Sequence, residues 1–233
     1  MKAVILAGGK GTRLKPYTTV IPKPLVPIGE RAILDILLHQ LKKYNITDVT
    51  ICVNHFAEII KAFFGNGQKI GMKITYSEEE SPLGTVAPLK MIHDLPENFL
   101  VMNGDLLTDM NFQTLFDQHT KNRANLTVST YVRDANIDFG VIEMDPEHKR
   151  IENFKEKPVY SFIVSMGVYA MSKRILNYVP DHAFGFDDLI HKLLSVKEEI
   201  QVFPYSGYWL DIGRPDDYDK ANNDLPTIEG FLS

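Results

Sequence analysis

Short unbroken apolar runs alternate with helix-spaced stretches in the first half of the chain. "KAVILA" (residues 2–7) is a continuous apolar run that ends in glycines, the pattern of a strand buried on both faces. "RAILDILLHQLKKY" (31–44) spaces its apolar positions for a helix, and "DVTICVN" (48–54) is β-branched and reads as a strand. "FAEIIKAFF" (56–64) predicts a helix that stops at Gly65, and "MKITYS" (72–77) a third strand. "TVAPLKMIHDL" (85–95) is helical in pattern, but Pro88 confines it to a first turn or kinks it. "FLVMNGD" (99–105) is a fourth strand running into a turn.

The second half reads differently. "NLTVSTYV" (125–132), "FGVIEMD" (139–145), "IENFKEKP" (151–158) and "YSFIVSMGVYAMS" (160–172) predict strands with few helices between them. "FDDLIHKLLSV" (186–196) is a late helix, and "PDDYDKANND" (215–224) opens another. Strand–helix alternation calls for a parallel sheet with crossover helices. The expectation is therefore an α/β fold with a mixed sheet, parallel in the first half and built of antiparallel ribbons in the second. No linker-like stretch cuts the sequence, so residues 1–233 are expected to form one domain of two lobes, divided near residue 110.

Composition narrows the class. The 233 residues are 44% hydrophobic and 24% charged, ordinary for a soluble globular protein able to bury a core unaided. The single cysteine, Cys52, excludes a disulfide framework and lies in an apolar run, where it reads as core. The first apolar run is too short for a signal-peptide core or a membrane span, so a cytoplasmic protein without membrane contact is expected. A net charge of −5 argues against a nucleic-acid partner. Yet Lys2, Lys10, Arg13, Lys15 and Lys23 all precede the first acid, Glu30, which points to a local anion site at the N-terminus.

The glycine-rich stretch "LAGGKGTRLKPYTTVIPKPL" (6–25) is where that anion would sit. It follows a strand, where ligands of open α/β sheets bind. Gly8, Gly9 and Gly11 permit close backbone approach, Arg13 offers a planar fork for phosphate oxygens, and Lys23 a point charge. It is neither familiar cradle: no glycine precedes Lys-Ser or Lys-Thr, and Leu14 stands where a dinucleotide fingerprint needs its third glycine. Pro16, Pro22, Pro24 and Pro27 also keep an α-helix from starting straight after the glycines. The bland alternative is a solvated basic turn.

"GGKGTRL" (8–14) followed by Pro22-Lys23-Pro24 resembles the signature of the nucleotide-sugar pyrophosphorylases, or sugar-1-phosphate nucleotidyltransferases, and is closest to short mannose- and heptose-1-phosphate guanylyltransferases. The resemblance continues through Pro82-Leu83-Gly84-Thr85, Asn103-Gly104-Asp105, Phe139-Gly140-Val141, Glu156-Lys157-Pro158, Gly167-Val168-Tyr169 and Trp209-Leu210-Asp211-Ile212-Gly213, to about residue 222. It implies a Rossmann-like three-layer sandwich with a mixed central sheet, of the glycosyltransferase-A type. It implies a reaction joining a nucleoside triphosphate to a sugar 1-phosphate with release of pyrophosphate, and a magnesium cofactor. The nucleophile would be an already ionised phosphate oxygen, so the task is positioning and charge neutralisation, with no general base.

Carried over residue by residue, the resemblance implies that Asp105 and Asp211 hold Mg²⁺, and that Arg13 and Lys23 hold the triphosphate. Leu6, Ala7, Gly8, Gly9, Gly11, Thr12, Pro82, Gly84, Thr85 and Asn103 would complete the nucleotide site. Lys157 would take the sugar phosphate; Glu156, Gly140 and Ser165 would face the sugar. Structural alternatives stand beside these: turn-forming roles for Asp105 and Asp211, and an exposed charged strand for Glu156 and Lys157. Glu79 matches a base-reading position. A carboxylate accepts from both N1–H and the amino group of guanine, whereas uracil and thymine offer one N–H, which favours GTP. "SEEE" (77–80) also reads as a solvated acidic loop.

Ala87 and Ser165 depart from the guanylyltransferase pattern, where glycine and a sugar-contacting asparagine are frequent, so the sugar is left open. The appended β-helix domain of many relatives is not expected here, and the oligomeric state is left open. "DYD" (217–219) imitates a glycosyltransferase metal motif but stands where acids favour a helix start. Three competing readings remain: a uridylyl- or thymidylyltransferase, a non-catalytic nucleotide-sugar-binding regulatory subunit, and a metal-dependent glycosyltransferase.

Overall fold

In the computed structural model, which describes residues 1–232, Lys2–Leu6 forms a strand because both of its faces find apolar cover. Ala3 and Ile5 pack on one side with Leu34, Leu37, Leu38 and Leu41, while Val4 packs on the other with Phe99, Val101 and Leu189.

The chain runs β1 (Lys2–Leu6), β2 (Pro27–Ile28), β3 (Arg31–Ala32), α1 (Ile33–Lys43), β4 (Asp48–Val53), α2 (Ala57–Phe64), β5 (Lys73–Glu78), β6 (Asn98–Asn103) and β7 (Leu106–Thr108). It continues through α3 (Phe112–Asn122), β8 (Leu126–Asn136), β9 (Val141–Met144), β10 (Ile151–Lys155), β11 (Val159–Ser172), α4 (Phe186–Ser195), β12 (Ile200–Tyr205), β13 (Trp209–Asp211) and α5 (Pro215–Leu232). The expected end at Ser233 lies outside the described residues.

Seven strands make the central sheet, in the order β12-β8-β11-β6-β1-β4-β5. Helices α1, α2 and α3 cover one face and α4 the other, giving the three layers expected. The second half of the sheet departs from expectation. Only β11 runs antiparallel to its neighbours β6 and β8, and β12 pairs parallel with β8, so six strands share one direction. Of the antiparallel ribbons, β9 with β10 stands apart from the sheet, whereas β8 with β11 belongs to it and its pairing continues as far as Asn136 and Val159.

Helix α1 is buried on two sides. Leu34, Leu37, Leu38 and Leu41 face the sheet, whereas Ile33 and Ile36 join a third cluster with Leu14, Leu107, Leu210, Ile212 and Ala221 of α5. Each such aliphatic side chain contributes roughly 1.5–3 kcal/mol of burial. This third cluster fixes the glycine loop, β7, β13 and α5 relative to one another.

An unforeseen helix, α3, begins at Asn111, whose side chain accepts from the backbone of Gln113 and Thr114. Among the described residues, no helix is long and apolar enough to cross a membrane.

Candidate active site

The backbone of β1 ends beside two neighbours at once. The Ala7 N–H donates to the Cys52 carbonyl at 2.8 Å, and the Gly104 N–H to the Leu6 carbonyl at 2.9 Å. Beyond this junction, at the carboxyl end of the parallel strands, opens a cavity of about 340 Å³. Leu6, Ala7, Gly8, Gly9 and Lys23 line it from the first loop, and Glu79, Pro82, Gly84, Thr85, Asn103 and Asp105 from elsewhere. Pro24, Cys52, Asn54 and Gly104 also line it, and sequence reading missed them. Asn54 sits just past β4, where the strand-end rule gives the only signal for it. Its side-chain amide donates to the Glu79 carbonyl at 2.7 Å.

Gly11, Thr12 and Arg13 do not line this cavity. Gly11 adopts a left-handed conformation at φ 61°, and a methyl group there would stand 3.0 Å from Thr18 Cγ2 and 3.1 Å from Lys23 Cβ. The glycine therefore lets the loop fold back against Thr18, whose hydroxyl donates to the Gly11 carbonyl at 2.7 Å. Residues Thr12–Leu14 form a single short helical turn that buries Leu14 and turns Arg13 toward a second, adjacent cavity. Lys2 is not part of any N-terminal anion site. It is buried at the opposite end of β1, where it pairs with Asp94 at 2.7 Å and Asp48 at 3.5 Å.

The two aspartates expected to bind metal are brought together by a short antiparallel ribbon. Strand β13 pairs with β7 so that Asp211 lies opposite Leu106, and the Ile212 N–H donates to the Asp105 carbonyl at 3.0 Å. The Lys23 ammonium ion-pairs with Asp105 and stands 4.0 Å from Asp211 Oδ1. One oxygen of each carboxylate, Asp105 Oδ1 and Asp211 Oδ1, is buried without a hydrogen-bond partner. Burial, together with the charge of Asp105, pushes the Asp211 carboxyl up to about 6, against the pull of Lys23.

Two orphaned carboxylate oxygens beside one lysine suit a hard divalent cation. Among the described residues no group of three or more His, Cys, Asp or Glu could hold a metal, so phosphate oxygens and water would have to complete the shell. That is how magnesium is usually bound.

Glu79 is nearly buried and accepts the Leu83 N–H on Oε2 at 2.8 Å. A methyl group on Gly8 would lie 3.4 Å from Glu79 Oε1, so the absence of a side chain at residue 8 keeps that oxygen accessible. Burial raises the Glu79 carboxyl above its ordinary range, and the Leu83 N–H opposes the rise.

The four expected sugar-site residues line neither of these cavities and stand on the outlying ribbons. Gly140 precedes β9, where a methyl group would lie 2.5 Å from the Phe154 ring and 3.3 Å from Glu156 Oε2. Its lack of a side chain thus makes room for Phe154. Glu156 and Lys157 are exposed in the turn between β10 and β11, Lys157 in a left-handed conformation at φ 43°. The Ser165 hydroxyl lies 3.0 Å from the Tyr169 hydroxyl. At Gly167, φ 70°, the pairing of β11 with β8 shifts register, and Asn103 packs against the glycine.

A family model described as nucleotidyl transferase matches residues 2–227. The chain belongs to the nucleotidyl transferase family. A probable mannose-1-phosphate guanylyltransferase of Oryza sativa is 31% identical over 94% of this chain and 63% of its own length. A UTP–glucose-1-phosphate uridylyltransferase of Synechocystis is also 31% identical, over 100% of this chain and 64% of its own. The chain thus spans somewhat under two thirds of the curated relatives it matches. The solved structure of HddC from Yersinia pseudotuberculosis with GMP-PN superposes with a TM-score of 0.72 at 26% identity, covering 96% of this chain and 99% of that one. In this nucleotidyl transferase the glycine loop runs into the single short turn at Thr12–Leu14, so it does not present the N-terminus of an α-helix.

Proposed function

We propose that this nucleotidyl transferase moves a guanylyl group from GTP to a sugar 1-phosphate, releasing pyrophosphate, with Mg²⁺ bound by Asp105 and Asp211. The convergence of those two carboxylates on Lys23 beside a glycine-lined cavity carries the reading. Both reactants are polyanions, and their repulsion is the main barrier to reaction. A bound magnesium supplies positive charge at the reacting phosphates. Lys23 already stands beside the carboxylates and supplies a second cation. The glycine backbone lets the triphosphate lie close to the strand ends. The sugar phosphate would enter from the ribbon side, with Lys157 as its cation and Glu156, Gly140 and Ser165 around the sugar.

Guanine is assigned from Glu79 and agrees with the guanylyltransferase relatives. A buried carboxylate satisfies two adjacent ring donors better than one. The second reading is uridylyl transfer. It is favoured by the Leu83 N–H, which already occupies one lone pair of Oε2 and leaves Oε1 the freer acceptor. The test is a grid of nucleoside triphosphates against hexose, amino-sugar and heptose 1-phosphates with Mg²⁺, scored by pyrophosphate formed. GTP should give the highest kcat/KM. Pyrophosphate from no pair would leave a nucleotide-sugar-binding protein without turnover, and a higher kcat/KM with UTP would replace guanylyl with uridylyl transfer.

A further inference from the structure

Beside Asp211 lies a second cavity of about 280 Å³, lined by Arg13, Arg133, Asp211, Gly213, Arg214 and Asp217. Three chain segments meet there: the glycine loop, the outer half of β8, and the turn before α5. The residues converge on one point. A methyl group built on Gly213 would lie 3.4 Å from Asp211 Oδ1, 3.6 Å from Asp217 Oδ2 and 3.9 Å from Arg13 Nη2. Arg133 Nη2 stands 3.7 Å from Asp217 Oδ1, whose other oxygen accepts the Arg214 N–H at 3.0 Å. Three arginines thus line one cavity with two carboxylates. Asp211 also stands 4.0 Å from the Lys23 ammonium of the nucleotide cavity, so Asp217 is the carboxylate that balances the arginines more directly.

This is the charge pattern of a receptor for an anion with more than one phosphate. Guanidinium forks match phosphate oxygens in pairs, and three of them exceed what a single phosphate monoester needs. We propose that the cavity takes the pyrophosphate group, as the β- and γ-phosphates of the incoming triphosphate and then as the departing product. Arg133 and Arg214 are its additional ligands beside Arg13, and Asp217 is a resident carboxylate that the phosphates displace from Arg133. The inference rests on the nucleotidyl-transfer reading and extends it. It names the residues that hold the leaving group and places one of them, Arg133, on the strand that also builds the sugar-side ribbon. Binding of pyrophosphate would therefore tie that ribbon to the start of α5.

The test uses R133Q and R214Q, singly and combined, and D217N, with thermal melts confirming that each is folded. Two readouts are taken. The first is titration calorimetry with sodium pyrophosphate, and separately with inorganic phosphate and with mannose 1-phosphate. The second is the reverse reaction, in which pyrophosphate cleaves the nucleotide-sugar. The double variant should weaken pyrophosphate binding, and raise the KM for pyrophosphate, tenfold or more. The KM for the nucleotide-sugar should change by less than threefold, and D217N should bind pyrophosphate more tightly than wild type. A loss of pyrophosphate affinity under tenfold in the double variant overturns the inference, as does an equal or larger loss for mannose 1-phosphate. Calorimetry needs no turnover, so it decides the point even if no substrate pair reacts; that separate result would instead count against the proposed function.

Discussion

Asp211 lies opposite Leu106 in the β7–β13 ribbon, and this single register places its carboxylate beside that of Asp105, with Lys23 between them. The ribbon is held by the third apolar cluster, through Leu107, Leu210 and Ile212. The pairing of the acids is therefore a consequence of packing. The packing holds two like charges close together, and the structure offsets their repulsion only in part.

That cost should be measurable. The folded Asp211 carboxyl titrates near 6, above the ordinary 3.9 or so of an unfolded aspartate, so between those values the folded state holds more protons. The stability this contributes is present below about pH 3.9 and lost as pH rises through 6. At pH 7, without divalent cations, Asp211→Asn should be more stable than wild type by about 1–2 kcal/mol, discounted because the side chain is 35% exposed. Turnover should fall at least a hundredfold. Urea melts in chelator, set beside a pyrophosphate assay, check both halves; a less stable Asp211→Asn would show that the repulsion is not felt.

Lys23 is the counter-charge. Lys23→Met leaves both carboxylates without their ammonium and should destabilise the metal-free protein by about 3 kcal/mol. Millimolar Mg²⁺ should restore a larger share of melting temperature in the variant than it adds to wild type. Equal magnesium shifts in the two would mean that lysine and metal do not share the site.

Glu79→Gln replaces one acceptor oxygen with a donor amide and keeps the volume. With GTP, kcat/KM should fall about 10- to 100-fold, roughly 1.4–2.8 kcal/mol, as an amide hydrogen meets the guanine donors. With UTP the change should be small. An equal loss for both nucleotides would remove Glu79 from base recognition.

His119 gives a pH prediction remote from the site. It is fully buried on α3, 2.9 Å from the Thr127 hydroxyl and 3.2 Å from Asn98 Oδ1, and burial lowers its imidazole to about 4. An unfolded histidine titrates near 6.5, so the unfolded state binds the proton first as pH falls. Stability present above pH 6.5 should be lost down to pH 4, by about 2–3 kcal/mol. His119→Gln should flatten that part of the stability curve relative to wild type, as followed by urea midpoints from pH 7 to 4.

Much of this was legible in the sequence, and the gaps have local causes. The run Lys2–Leu6 and the glycines after it announced the strand and the ligand end of the sheet. Helix α3 escaped notice because His119 occupies a buried position where an apolar residue is expected, and because Arg123, not glycine, takes the left-handed position at its end. The reversal of β11 alone, and the parallel return of β12, depend on strand order, which alternation does not encode. Asp105 and Asp211 were named from the resemblance. Their proximity depends on two three-residue strands too short to read from pattern. Arg13 was expected among the nucleotide-cavity residues, but the short turn at Thr12–Leu14 directs it to the neighbouring cavity.

The most direct check is manganese binding, followed by electron paramagnetic resonance in the presence of a non-hydrolysable GTP analogue. Wild type should hold a bound ion that Asp105→Asn and Asp211→Asn each weaken at least tenfold. If both variants kept wild-type affinity for the ion, the two carboxylates would not be its ligands, and the account built on their meeting would be wrong.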